Sequence, residues 1–84
     1  MKIIKKFEDL LPGKYYAAKN SIDSSNEYSC VCKIIEKNPT TYSIQVFEDH
    51  DSYWKTGEMA ISFQDFKRHI WYELTDSDAF MEVL

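Results

Sequence analysis

The chain has 84 residues, 29% of them charged, and a formal net charge of −4. That length allows one domain, residues 1–84, and a domain so small buries only about 60% of the surface its unfolded chain exposes. Five Phe, six Tyr and two Trp supply the apolar mass that such a core needs, which excludes a disordered tail.

The charge is uneven. Residues 1–42 carry seven Lys against five acids, a balance of +2, and residues 43–84 carry three bases against nine acids, a balance of −6. The acids gather at Glu48, Asp49 and Asp51, and again at Glu73, Asp76, Asp78 and Glu82. A field of that sign repels phosphate and favours a basic partner surface. The opening MKIIKKFEDLL is too short and too interrupted by Lys for a signal peptide or a membrane span, so a cytoplasmic location is expected.

From the N-terminus, Ile3, Ile4, Phe7, Leu10 and Leu11 fall at helical spacing and predict a short amphipathic helix. Pro12-Gly13 ends it. Lys14 to Lys19 reads as a first strand, and Ser21 to Asn26 as a polar loop. Glu27 to Glu48 then holds two β-prone runs around an Asn38-Pro39 turn signal, the pattern of a long antiparallel hairpin. On its second strand Tyr42, Ile44 and Val46 alternate with Ser43, Gln45 and Phe47.

The first hairpin strand has apolar residues on both faces, so two registers compete. With Glu36 opposite Thr41, Val31 faces Val46. A one-residue slip puts Cys32 on the core side instead. Cys30 and Cys32 share a face and are poorly placed to bridge each other. No second Cys pair exists, so neither a disulfide nor a metal site is expected, and the thiols read as packing in a reducing compartment.

Glu48 to Gly57 reads as a loop and Glu58 to Ile61 as a short strand. Ser62 and Asp65 form a helix-start signature, followed by Phe63, Phe66 and Ile70. Trp71 to Leu74 returns to strand, with one of Trp71 and Tyr72 in the core. Thr75 with Asp78 repeats the capping pattern, and Ala79, Phe80, Val83 and Leu84 predict a last amphipathic turn docked on the domain.

Leu11-Pro12-Gly13-Lys14-Tyr15-Tyr16 leading into the first strand, and Ile61-Ser62 through Leu74 closing the sheet with a helical turn, make the chain resemble small SH3-like barrels. The likeness is architectural and covers most of the chain. It implies a mainly β (α+β) fold, an antiparallel SH3-like barrel with N- and C-terminal helices packed on it. No proline-peptide groove carries over. In its short, lysine- and asparagine-bearing character the chain also looks like accessory proteins of phages or mobile elements.

For function, Asp49-His50-Asp51 is the tightest titratable cluster and offers a weaker alternative, a small hydrolase or metal-dependent activity, but a nucleophile would have to come from Ser52 or elsewhere and two Gly cannot build a phosphate cradle. No enzyme activity and no cofactor are expected. Tyr15, Tyr16, Tyr28, Tyr42, Tyr53 and Trp54, with Lys2, Lys5, Lys6, Lys14, Lys19, Lys33 and Lys37, suggest one alternative, a barrel that binds single-stranded nucleic acid. The acidic total weighs against it. The leading expectation is a non-catalytic protein-binding module whose contact residues are Asp49, Asp51, Tyr53 and Trp54. Aromatic side chains dominate interface energetics, and the acids around them would steer a larger protein with a basic surface. Such a module would regulate or inhibit its partner, as a phage-encoded inhibitor of a host enzyme does. The bland alternative has Trp54 folding back over the end of the barrel. An unpaired sheet edge would also allow a homodimer.

Overall fold

The computed structural model describes residues 2–20, 28–49 and 53–75, with the backbone alone for Glu48 and Asp49. Their order is β1 (Lys2–Ile4), a 3-10 turn η1 (Phe7–Asp9), β2 (Tyr15–Asn20), β3 (Cys30–Lys37), β4 (Thr41–Asp49), β5 (Gly57–Ser62), α1 (Phe63–Lys67) and β6 (His69–Leu74). The strands form one six-stranded antiparallel sheet in the order β1-β6-β2-β3-β4-β5. The hairpin β3–β4, the strand β5 and the helical turn before the last strand stand where the sequence pattern puts them.

The barrel with packed terminal helices is corrected. Among the described residues no pairing joins β1 to β5, so the sheet is open. The small mostly-β domain remains compatible with a barrel-like curl. The N-terminal helix is replaced by β1 and η1. Ile3 and Ile4 point to opposite faces, 48% and 6% exposed, as strand residues do. Two adjacent β-branched residues favour a strand, and pairing Lys2–Ile4 with Trp71–Glu73 occupies an edge of β6 that would otherwise stand unpaired. A helix of so few residues would have to meet its nucleation cost with little propagation to offset it. The expected C-terminal helix lies outside the described residues.

The core sits on one face of the sheet. Tyr16 and Ala18 of β2, Cys30, Cys32 and Ile34 of β3, Tyr42, Ile44 and Val46 of β4, Ile61 and Trp71 enter it, with Ile4, Leu10, Trp54 and Phe66 closing over them. The hairpin takes the slipped register, with Cys32 opposite Val46 and both Cys fully buried. Two compensating bulges make this possible. Ile35 is the extra residue on β3, between the pairs Ile34–Ile44 and Glu36–Ser43. Phe47 is the extra residue on β4, between Cys32–Val46 and Val31–Glu48.

Helix α1 is one and a half turns held by its cap. Ser62 Oγ accepts from the Asp65 N–H at 3.4 Å, and the Asp65 carboxylate accepts from the Ser62 N–H at 2.8 Å. Phe66 then stacks on Trp71 with ring centroids 5.8 Å apart, and the Trp71 indole N–H donates to the Phe66 carbonyl at 3.0 Å.

Candidate functional site

Of the four expected contact residues, Tyr53 and Trp54 are the two whose side chains are described. Trp54 is 2% exposed and belongs to the core, with its ring 5.8 Å from Trp71 and 5.0 Å from His69. Tyr53 is 36% exposed and lies across Trp54 and His69, at 5.2 and 5.0 Å. Asp49 ends β4 opposite Cys30, and Asp51 lies outside the described residues, as does His50. Of the acids behind the basic-partner expectation, Glu73 is described on β6, and the side chains of Glu48, Asp49, Asp51, Asp76, Asp78 and Glu82 lie outside the described residues.

Sequence reading did not anticipate the group that anchors Tyr53. Its hydroxyl donates to Asp65 Oδ1, so the cap of α1 also ties down the chain entering β5. Burial pushes the Asp65 carboxyl up. The Ser62 N–H, the Tyr53 and Ser62 hydroxyls and the nearby Arg68 charge outweigh that and hold it below the usual carboxylate range. Burial, then the Asp65 carboxylate, pushes the Tyr53 phenol up. His69 is 8% exposed, and its Nδ1 lies 3.0 Å from the Asp65 carbonyl. A carbonyl can only accept, so Nδ1 is the donor in this hydrogen bond. The cluster therefore works as a clamp, with the carboxylate already engaged by three hydrogen bonds.

Among the described residues, the buried side-chain atoms Trp54 Nε1 and Tyr42 Oη have no hydrogen-bond partner. Burial first, then the Glu8 and Asp9 charges, raises the Tyr42 phenol. Among the described residues no group of three or more His, Cys, Asp or Glu is placed to hold a metal ion. No helix among them is long and apolar enough to cross a membrane.

The other face of the sheet carries a second apolar set. Ala17 and Val31 are fully buried there and Leu74 nearly so, with Tyr15 and Tyr28 packed over them. Ladder alternation puts Ile3, Tyr72, Ala17 and Val31 in one row across β1, β6, β2 and β3, and Leu74, Tyr15 and Lys33 in the next. Tyr72 contacts Tyr28, and Tyr15 contacts Phe47, each at 6.0 Å between centroids. Ile3, Ile70 and Phe47 rim this face at 48%, 37% and 37% exposure. Lys19 pairs with Ile70 on it, and the Lys33 ammonium stands 5.5 Å over the Tyr15 ring. Of the residues expected to meet nucleic acid, Tyr16, Tyr42 and Trp54 are thus core, whereas Tyr15, Tyr28, Lys19 and Lys33 share the outer face. The signal for that face was present in the sequence. Tyr15-Tyr16-Ala17-Ala18 and Ile70-Trp71-Tyr72 are apolar at every position, so both faces of those strands carry apolar groups.

The chain matches no protein-family model, no curated protein and no solved structure.

Proposed function

We propose that this protein is a non-catalytic protein-binding module that docks on a larger protein and regulates or inhibits it. The observation that carries the reading is the outer sheet face. Ile3, Phe47 and Ile70 stand exposed around the half-buried Tyr15, Tyr28 and Tyr72. A contiguous aromatic and aliphatic patch of this kind, with polar residues at its margin, is what partner surfaces cover. Lys19 and Lys33 on the same face favour a partner that brings carboxylates to it.

One observation favours single-stranded nucleic acid as a second reading. Tyr15, Tyr72, Lys19 and Lys33 combine ring faces with cations on one surface. Two lysines neutralise few phosphates, and a net charge of −4 opposes the approach of more.

A double variant and a salt titration separate the readings. Phe47→Ser with Ile70→Ser changes two exposed side chains and leaves the core intact. The protein reading expects a stoichiometric partner, recovered from the native host by the unchanged chain, to be lost on the variant while its circular dichroism is unaltered. The nucleic-acid reading expects oligonucleotide anisotropy that rises at low salt and collapses as salt is added. A partner retained in full by the variant refutes the outer face as the contact surface.

A further inference from the structure

The two ends of this open sheet differ. Strand β1 has three residues with Lys2, Lys5 and Lys6 at and beside it, the means by which edges are guarded against pairing. Strand β5 has six residues, GEMAIS, and Glu58 is its one charge.

The hydrogen-bond alternation shows which groups β5 leaves unpaired. The Ile34 N–H donates to the Lys14 carbonyl at 3.0 Å, and the Ile34 carbonyl accepts from the Gly13 N–H at 2.8 Å. Ile34 thus faces away from β4, and its neighbour Lys33 bonds to Gln45. At the turn the Asn38 N–H donates to the Thr41 carbonyl at 2.8 Å, so Thr41, Ser43 and Gln45 all face β3. Tyr42, Ile44 and Val46 therefore face β5 and bond to Ile61, Met59 and Gly57. What remains on the outer side of β5 is the main chain of Glu58, Ala60 and Ser62. The Ser62 N–H is taken by the Asp65 carboxylate at 2.8 Å. Glu58 and Ala60 are exposed, and among the described residues no strand pairs with the N–H and C=O that each turns outward, about 6.8 Å apart along the strand.

We infer that β5 is a strand-addition edge, which takes an extended segment of the partner protein as a seventh strand. The inference rests on the protein-binding reading and places a contact away from the outer aromatic rim. The free groups dictate the chemistry of the occupant. Alternating donors and acceptors at this spacing match the backbone of an extended polypeptide. Beside them Ala60, exposed and small, leaves room for a bulky side chain on the added strand, and the exposed Glu58 meets a Lys or Arg. A second copy of this chain fits less well. Pairing Glu58 with Ala60 of the other copy would satisfy all four backbone groups on each chain, but it brings another −4 and no cation to Glu58.

Random dodecapeptides displayed on phage, selected on the immobilised full chain, test this. Enriched peptides should carry a basic residue and a bulky apolar residue at alternate positions. By NMR hydrogen exchange, the Glu58 and Ala60 amides should exchange freely in the protein alone and slow at least about tenfold when the synthetic peptide saturates it. Ala60→Pro removes an outward N–H and no bond to β4, so it should weaken binding about tenfold. Glu58→Lys, an exposed change that keeps the fold whatever Ala60→Pro does, should switch the selected charge from basic to acidic. Ile70→Ser should leave peptide binding unchanged, which separates this edge from the outer face. The inference is overturned if no peptide is enriched, if the peptides bind without protecting Glu58 and Ala60, or if those amides are already protected in a dimer of the protein alone.

Discussion

Trp54→Ala, set against Trp54→Phe, separates a core tryptophan from a contact tryptophan. The indole is 2% exposed and packed against Tyr53, His69 and Trp71. Truncating such a ring to Ala removes its transfer energy and leaves a cavity, about 3–5 kcal/mol together. For a domain of this size each kcal/mol moves Tm by about 4–8 °C, so the midpoint should fall by at least about 12 °C. Trp54→Phe behaves differently because Trp54 Nε1 is buried without a hydrogen-bond partner. Removing that orphan N–H relieves about 1–3 kcal/mol of desolvation cost. The smaller ring gives back a comparable amount in lost burial, at about 25 cal/mol per Å². The two terms nearly cancel, and Trp54→Phe should stay within about 1.5 kcal/mol of the parent chain. Urea unfolding followed by far-UV circular dichroism reads both variants, with the slope checked for constancy. A Trp54→Ala chain as stable as the parent would refute the core placement. A Trp54→Phe chain as damaged as Trp54→Ala would refute the account of the orphan N–H.

The Asp65 clamp makes stability depend on acid. Its carboxyl is held below the usual range in the folded chain, so its contribution is present above the unfolded carboxylate pKa of about 3.9 and is lost as pH falls through the lower folded value. Asp65→Asn should flatten that part of a stability-versus-pH curve and lower stability at pH 7 by about 0.5–2 kcal/mol through loss of the cap. An acid limb as steep as that of the parent chain would exclude Asp65 as its source. Cys30 and Cys32 are fully buried and unbridged. Both should be silent to a thiol reagent such as Ellman's in the native protein and react together in denaturant. Fast labelling of either one in native buffer would contradict the register that buries them.

Much of the strand content was legible because it rests on local chemistry. Tyr42, Ile44 and Val46 alternate cleanly, and all three are core. Ser62 and Asp65 form the capping box that their spacing announces. The N-terminal segment was misread because Ile3, Ile4, Phe7, Leu10 and Leu11 satisfy a helical period by coincidence. Ile4 is buried by a strand that pairs with β6, Leu10 is buried where it ends the 3-10 turn, and Ile3 and Leu11 are exposed. The burial of Trp54 escapes a local reading for a related reason. A tryptophan in a polar, acidic stretch looks exposed until His69 and Trp71, distant in sequence, are brought beside it.

Propensity, turn chemistry and period-two patterning act over a few residues, so the β-rich character, the hairpin, the capped helical turn and the supply of apolar side chains are legible in the chain. The hairpin register emerges with the packed sheet, through two bulges that shift it and then restore it. The same holds for Trp54 as a core residue, for the outer face shared by Tyr15, Phe47, Ile70 and Tyr72, and for β5 as an edge of the sheet among the described residues. Each of these depends on which strands become neighbours, and that follows from long-range burial that no local pattern records.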